Sequence, residues 1–333
     1  MKTYTCRTLY LLLFFFCHLA VQAQQKDTYN ATLDDYAYRY PVSYFEVVEE
    51  GKKLRMAYMD VAPSNKAQNP QTVVLLHGKN FLGAYWSQTI RFLAANGYRV
   101  VVPDQIGFGK SDKANVHYSF HQLAQNTRRL LESLKIDKAV VVGHSMGGMV
   151  ATRFALLYPE MTQKLVLENP IGLEDYRLMV PYKNLDELYQ EELKRTEKDI
   201  RAYHQTYYTS WKPAYDEWVR IPAAQLKSAD YPVVARVAAL TYAMIYEQPV
   251  VYEFSRLQVP TLLVIGQEDR TVVGKGYLNE EDKKKYGQYP QLGKQTAEAI
   301  PNAKLVEMPG VGHIPHLEAT AQFHKTLLEY LKQ

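Results

Sequence analysis

The stretch from residue 139 to residue 149 constrains the fold of this chain more than any other. It reads Ala-Val-Val-Val-Gly-His-Ser-Met-Gly-Gly-Met, and its first four residues are typical of a buried strand. Gly143 and Gly147 flank Ser145 at the spacing G-x-S-x-G, where a strand turns sharply into a helix. Small residues are required there because the backbone crowds itself. The stretch therefore predicts a strand, a strained turn at Ser145, and a helix that ends before Pro159.

The rest of the chain predicts an α/β fold with a mostly parallel sheet. Apolar runs alternate with segments of helical periodicity, a pattern that covers a parallel sheet with helices on both faces. The predicted strands are 44–48, 54–61, 72–76, 98–102, 139–142, 164–167, 261–265 and 304–307, and the predicted helices are 86–96, 120–134, 146–158 and 319–331. Right-handed crossovers place the carboxyl ends of parallel strands at one edge. We therefore expect six polar residues to gather there: His77, Asp104, Ser145, Glu168, Asp269 and His313.

The N-terminus predicts export. Lys2 and Arg7 precede the apolar run 9–21, which ends at Val21-Gln22-Ala23. A basic start, a short apolar run and a small-x-small site are typical of a signal peptide, here residues 1–23, and the run is short for a membrane span. We expect a periplasmic or secreted protein without stable membrane insertion after cleavage. An uncleaved anchor is the alternative.

Cysteine content and charge exclude several classes of function. The two cysteines, Cys6 and Cys17, lie in the predicted signal peptide, so the mature chain would have neither a disulfide nor a thiol nucleophile. Loss of Lys2 and Arg7 lowers the formal net charge from +4 to +2. This balance favours neither nucleic acid nor a polyanionic surface as partner. No histidine pair has metal-site spacing, so we predict no metal and no cofactor.

Between residues 172 and 259 the strand–helix alternation lapses. This region is helical in pattern and rich in tyrosine and tryptophan, and a loop of that length would need structure of its own. We interpret it as an inserted helical cap, which divides the core into residues 24–171 and 260–333. The aromatic side chains would mostly pack the cap onto the core. Residues 24–42 are expected to form a polar leader, and residues 279–293 an exposed excursion.

A serine becomes a nucleophile when a base takes its proton and a third group orients the base. His313 lies in Gly310-Val311-Gly312-His313 after the last predicted strand, and Asp269 follows the preceding strand. Glu268 and Glu168 are alternatives to Asp269, and His316 is an alternative to His313. The chain order Ser145, Asp269, His313 is the order found in α/β-hydrolases.

The chain resembles the α/β-hydrolase superfamily, in particular the members with a cap after the sixth strand. The resemblance covers residues 44 to 332 and is carried by five motifs: His77-Gly78, Asp104-x-x-Gly107-x-Gly109-x-Ser111, Gly143-His144-Ser145-Met146-Gly147, Gly266-x-x-Asp269 and Gly312-His313-x-Pro315. It implies that Ser145 is the nucleophile, His313 the general base and then acid, and Asp269 the residue that orients His313. The oxyanion hole would be the backbone N–H groups of Met146 and Lys79, with Asn80 as the alternative to Lys79.

The resemblance also limits the chemistry. Relatives that open epoxides or displace halide have aspartate at the position that Ser145 occupies here. Serine at this position therefore indicates acyl chemistry through an acyl-enzyme. We expect a small-molecule acyl substrate, most simply a carboxylic ester with an apolar or aromatic acyl group. The alternatives are carbon–carbon bond hydrolysis with the same triad and an aminopeptidase of the proline iminopeptidase type. Proline iminopeptidases of this build carry tryptophan after the nucleophile, and Met146 departs from that pattern.

Overall fold

A computed structural model describes residues 26–64 and 70–333. In this part of the chain an eight-stranded sheet has the order β1-β2-β4-β3-β5-β6-β7-β8. The strands are β1 (Val42–Glu49), β2 (Lys52–Val61), β3 (Thr72–Leu76), β4 (Arg99–Pro103), β5 (Ala139–His144), β6 (Thr162–Glu168), β7 (Thr261–Gly266) and β8 (Ala303–Met308). Strands β3 to β8 are parallel, and the antiparallel hairpin β1–β2 joins the sheet alongside β4. The mostly parallel sheet predicted from the sequence is confirmed.

Helices cover both faces of this sheet. They are α1 (Ser87–Ala95), α2 (Phe120–Ser133), α3 (Met146–Leu157), α4 (Leu185–Leu193), α5 (Glu197–Gln205), α6 (Asp216–Leu226), α7 (Tyr231–Glu247), α8 (Glu280–Lys285), α9 (Tyr289–Ala299), α10 (Pro315–Glu318) and α11 (Thr320–Leu331). Successive strand side chains point to opposite faces, so Val74 and Leu76 of β3 join one apolar cluster with α2 and α3. Val73 and Leu75 join the other, with α1 and α11.

Helices α4 to α7 lie between β6 and β7, in the region where the sequence predicts a cap. Asn184 and Glu187 form a capping box at the start of α4, and Thr196 and Asp199 form another at the start of α5. Each box satisfies backbone N–H groups that would otherwise lack acceptors, so these helices begin at defined residues. The predicted domain boundaries at 172 and 259 stay a prediction.

The N-terminal stretch is more than a polar leader. Tyr29, Leu33 and Tyr36 are buried in the apolar cluster around α1 and α6. The Lys110 ammonium donates to the Leu33 carbonyl at 2.6 Å, and the Tyr36 hydroxyl donates to Glu217 of α6 at 2.6 Å. Tyrosine buries its ring while its hydroxyl keeps a polar partner, so a tyrosine-rich segment can pack on the core.

The exposed excursion expected at residues 279–293 is wrong for its second half. Tyr289, at the start of α9, is 1% exposed, and its hydroxyl donates to the Pro170 carbonyl at 3.0 Å. Leu292 of the same helix is also buried in the core. Helix α9 is difficult to recognise in the sequence because it follows the polar helix α8 and because a helix that buries one face needs only a few apolar residues.

The predicted signal peptide, residues 1–23, lies outside the described residues. Across residues 26–64 and 70–333, no helix is both long enough and apolar enough to cross a membrane.

Candidate active site

Ser145 occupies a strained turn between β5 and α3. Its backbone has φ 55° and ψ −121°, a conformation that non-glycine residues adopt at a cost of about 1–3 kcal/mol. A side chain at residue 143 could not fit, because a Cβ atom there would lie 2.2 Å from the Gly147 carbonyl oxygen. The two glycines of the G-x-S-x-G spacing therefore let the chain cross itself and present Ser145 above the end of the sheet.

His313 and Asp269 lie in line with Ser145. The Ser145 Oγ is 3.0 Å from His313 Nε2, and His313 Nδ1 is 2.6 Å from Asp269 Oδ2. All three side chains are buried, with residue exposures of 6% for Ser145 and 1% for the other two. Because the carboxylate accepts the proton of Nδ1, Nε2 is left free to accept the proton of the serine hydroxyl.

Asp269 is held as a carboxylate by its neighbours. Burial alone would raise its pKa, but the nearby His313 and three hydrogen-bond donors outweigh burial, and the pKa of Asp269 lies below its ordinary value. Besides His313, the donors are the Thr271 N–H at 2.8 Å and the Asn169 side-chain amide at 2.8 Å. Asn169 also accepts the Gly266 N–H at 2.9 Å, so its orientation is fixed from both sides.

Tyr207, in the segment between α5 and α6, holds the loop that carries His313. Its carbonyl oxygen accepts the His313 N–H at 2.7 Å, and its ring stacks on the imidazole with centroids 4.8 Å apart. A Cβ atom on Gly312 would lie 2.4 Å from that same carbonyl oxygen. Glycine at 312 therefore permits the close approach that sets the position of His313.

The loop after β3 lies against Ser145. A Cβ atom on Gly78 would be 3.1 Å from the Ser145 Cβ, so this loop is in contact with the turn at Ser145. Within the described residues, the backbone N–H groups of Lys79 and Asn80 have no hydrogen-bond acceptor. Met146 is the first residue of α3, where N–H groups lack intrahelical partners. Either loop N–H is therefore available to join Met146 as a donor to an oxyanion.

His144 connects this loop to the His313 loop. Its Nε2 bonds the His313 carbonyl at 2.9 Å, and its Nδ1 bonds the Tyr85 hydroxyl at 2.9 Å. The Tyr85 hydroxyl in turn accepts the Gly78 N–H at 3.0 Å. Burial lowers the pKa of His144 well below its ordinary value, so the ring stays neutral and serves as a structural link.

Glu168 and His316, two alternatives left open by the sequence, bond each other. His316 Nδ1 lies 3.0 Å from both carboxyl oxygens of Glu168, and the His316 ring stacks on Trp86 with centroids 3.9 Å apart. Burial raises the pKa of Glu168 and lowers the pKa of His316, so the pair is held without net charge. The structure therefore brings neither group to Ser145 Oγ. Glu268, the remaining alternative acid, is likewise not the carboxylate that bonds His313.

Asp104 and His77 support the site from below. The Asp104 carboxylate accepts the Gly83 N–H at 2.6 Å, the Lys110 N–H at 2.7 Å and the Tyr38 hydroxyl at 2.6 Å. His77 Nε2 accepts the Gln105 N–H at 3.0 Å. These contacts fix the loops after β3 and β4.

A cavity of about 540 Å³ opens above Ser145. Its wall combines the loop after β3, helices α4, α5 and α7, and the segment after β7, including Tyr203, Tyr207 and Tyr242. No cluster of three potential metal ligands occurs in the part of the chain that the structure describes.

Two supporting residues escaped sequence analysis. Asn169 directly follows Glu168 at the end of β6, and this strand-end position is the signal that could have identified it. Tyr207 was visible only as one of many aromatic residues in the predicted cap, because nothing in the sequence says which ring reaches His313.

Comparison with known proteins gives the family. Residues 71–320 match the alpha/beta hydrolase fold family. A crystal structure of a probable hydrolytic enzyme from Pseudomonas aeruginosa PAO1 superposes with a TM-score of 0.88 at 49% identity, over 91% of this chain and 97% of that chain.

Two curated relatives are similar over most of their length. A 2-hydroxy-6-oxononadienedioate/2-hydroxy-6-oxononatrienedioate hydrolase from Burkholderia vietnamiensis is 28% identical over 87% of this chain and 95% of the relative. A 2-hydroxy-6-oxo-6-phenylhexa-2,4-dienoate hydrolase from Comamonas testosteroni is 28% identical over 81% of this chain and 90% of the relative. The family match spans well over half of the chain, and the sequence motifs predicted it. This chain belongs to the alpha/beta hydrolase fold family and is an enzyme of that family.

Proposed function

We propose that this enzyme is a serine hydrolase that cleaves a small carboxylic ester, or a related acyl compound, through an acyl-enzyme on Ser145. The observation that carries the proposal is the hydrogen-bonded series from Ser145 Oγ to His313 Nε2 and from His313 Nδ1 to Asp269 Oδ2, at 3.0 and 2.6 Å. Such a series lets imidazole remove the serine proton while the carboxylate stabilises the imidazolium.

In the first half-reaction, Ser145 Oγ attacks the acyl carbon and His313 takes the serine proton. The tetrahedral oxyanion accepts hydrogen bonds from the N–H groups of Met146 and Lys79, and each such donor typically lowers the barrier by about 3 kcal/mol. His313 then protonates the leaving group. In the second half-reaction, His313 activates water, which releases the acid and regenerates Ser145.

A second candidate is carbon–carbon bond hydrolysis. The two curated relatives described above carry names of hydrolases that act on 2-hydroxy-6-oxo-dienoates. The same three side chains can serve such a reaction once the substrate is a ketone, because attack again occurs at a carbonyl carbon.

Purified enzyme assayed on 4-nitrophenyl esters of graded acyl length and on 2-hydroxy-6-oxo-dienoates distinguishes the two candidates. Ester turnover that disappears in Ser145→Ala, in a protein with unchanged circular dichroism, supports the ester hydrolase. Turnover of the dienoates without turnover of the esters supports the carbon–carbon bond hydrolase instead of the ester hydrolase. Ester turnover that Ser145→Ala leaves intact contradicts both.

We also propose that the protein is exported after removal of residues 1–23, on the basis of the N-terminal sequence pattern. Mass spectrometry of protein recovered outside the cytoplasm should find a mature N-terminus near Gln24. A protein that retains Met1 contradicts cleavage.

A further inference from the structure

The cavity above Ser145 adjoins a second, smaller chamber of about 130 Å³. The second chamber lies between the loop after β3 and helices α5 to α7, and most of its wall is apolar, including Leu33, Phe81 and Ile221. Four residues line both chambers, and three of them are charged: Lys79, Asn80, Glu192 and Arg195. A substrate that extends from Ser145 into the apolar chamber therefore passes a charged boundary.

Most charged groups around the two chambers already have partners. The Glu192 carboxylate pairs with Arg195 at 3.2 Å, and Glu191 bonds Lys183 and Tyr277. Lys275 donates to the Arg270 carbonyl at 2.6 Å.

Two further charged residues that line the chambers are also bonded. Lys113 donates to the Gly109 and Ser111 carbonyls at 2.8 and 3.1 Å. Asp199 accepts the Thr196 hydroxyl at 2.6 Å, within the capping box of α5. Their charges are therefore already compensated by the protein.

Lys79 differs from these groups. Within the described part of the chain its ammonium has no carboxylate within 4.0 Å and no hydrogen-bond acceptor. Burial lowers the pKa of Lys79, the Glu192 carboxylate raises it only in part, and the positive charge of Arg195 lowers it further. Lys79 is half-buried, so its ammonium reaches the cavity, and an anion that binds beside it gains a charge-assisted hydrogen bond that no group of the protein already makes.

We propose that Lys79, together with the guanidinium N–H groups of Arg195 that do not bond Glu192, binds a carboxylate that belongs to the substrate itself. This inference rests on the proposed function and specifies its substrate class: acyl compounds that carry a free carboxylate, which lies at the boundary between the two chambers. Lys79 directly follows Gly78, which contacts the turn at Ser145. A carboxylate bound to the Lys79 ammonium therefore contacts the same loop whose backbone N–H groups are the proposed donors to the oxyanion.

The test compares matched esters. The substrates are the mono-4-nitrophenyl esters of adipic and pimelic acids and the neutral 4-nitrophenyl esters of hexanoic and heptanoic acids, with spontaneous hydrolysis subtracted. We expect the native enzyme to prefer the acidic ester of each pair. Lys79→Met should reduce the acidic-to-neutral ratio of kcat/KM by about tenfold or more, mainly through KM, as expected for loss of one charge-assisted contact. Lys79→Arg should retain most of the preference.

Lys275→Met is the matched control, because it removes a positive charge from the same cavity wall but one that already bonds a carbonyl. It should change the ratio by less than about twofold. Equal changes in Lys79→Met and Lys275→Met, or no preference for the acidic ester in the native enzyme, would overturn the proposal.

A binding measurement separates this proposal from the proposed function. Isothermal titration calorimetry of adipate with Ser145→Ala should give binding that the double variant Ser145→Ala/Lys79→Met loses. If the native enzyme hydrolyses no ester but this Lys79-dependent binding persists, the proposed function fails and the carboxylate site stands. If both variants bind adipate equally, or neither does, the carboxylate site is wrong.

Discussion

The ring of Tyr207 lies over the imidazole of His313, with centroids 4.8 Å apart and planes inclined by 24°. The same residue accepts the His313 N–H through its carbonyl and the Asn80 side-chain amide through its hydroxyl, both at 2.7 Å. Tyr207 thus contacts both His313 and the loop after β3. We expect these contacts to matter for the reaction, because the imidazole must stay aligned with Ser145 to take the serine proton.

Replacement of Tyr207 tests whether its contacts position the imidazole of His313. Tyr207→Leu removes the stacked ring and should lower kcat about three- to tenfold, since an aromatic pair contributes about 0.5–1.5 kcal/mol. Tyr207→Phe keeps the ring and should have a smaller effect. Tyr208→Leu is the control, because Tyr208 stacks on Tyr215 at 3.8 Å and not on His313. Equal losses of kcat in Tyr207→Leu and Tyr208→Leu would mean that the stack has no role in positioning.

The two buried acid–histidine pairs should behave differently when their acids are neutralised. Asp269→Asn loses the acceptor that fixes the His313 tautomer, so kcat should fall about a thousandfold or more. Glu168→Gln alters only the pair with His316, and kcat should stay within about tenfold of the native value. Steady-state kinetics on one ester measures both. A larger loss in Glu168→Gln than in Asp269→Asn would transfer the role of orienting acid to Glu168.

Acid should destabilise the folded protein through His204. Burial lowers the pKa of this histidine from 6.5 to about 3, and it is 2% exposed next to Phe81. Between these two pH values the unfolded chain binds a proton that the folded chain does not. The contribution of His204 to stability therefore falls by about 1.4 kcal/mol for each unit of pH decrease.

Urea unfolding of the native protein and of His204→Leu at several pH values checks this expectation. The difference in free energy of unfolding between the two proteins should change in favour of the variant as the pH falls from 6.5 towards 3. At pH values above about 7.5 the difference should be constant. A difference that is independent of pH throughout would show that His204 is not held neutral by the fold.

Local sequence rules predicted most of the sheet and the positions of the three polar side chains at its edge. The strands at 72–76, 139–142 and 261–265 are recognisable because parallel strands buried on both faces are continuously apolar. The chain order of Ser145, Asp269 and His313 then follows from where each strand ends. Helix α9 was missed because its apolar face is short and follows a highly charged segment.

The partners that hold the three side chains in place could not be predicted in the same way. Asn169 and Tyr207 act through contacts between residues about 100 positions apart in the chain, such as the Asn169–Asp269 bond at 2.8 Å. Sequence periodicity describes the face of an element but not the residue that it meets across the site. The pairing of Glu168 with His316 could likewise be identified only in the three-dimensional structure. This pairing is the reason why neither residue belongs to the hydrogen-bonded series at Ser145.

The reactivity of Ser145 towards a fluorophosphonate probe, followed by peptide mapping, tests the central claim most directly. The native enzyme should carry one adduct, on the peptide that contains Ser145. His313→Gln should slow its formation about a hundredfold or more, because general-base assistance is lost. An adduct at another residue, or labelling of Ser145 at the same rate in His313→Gln, would contradict the account.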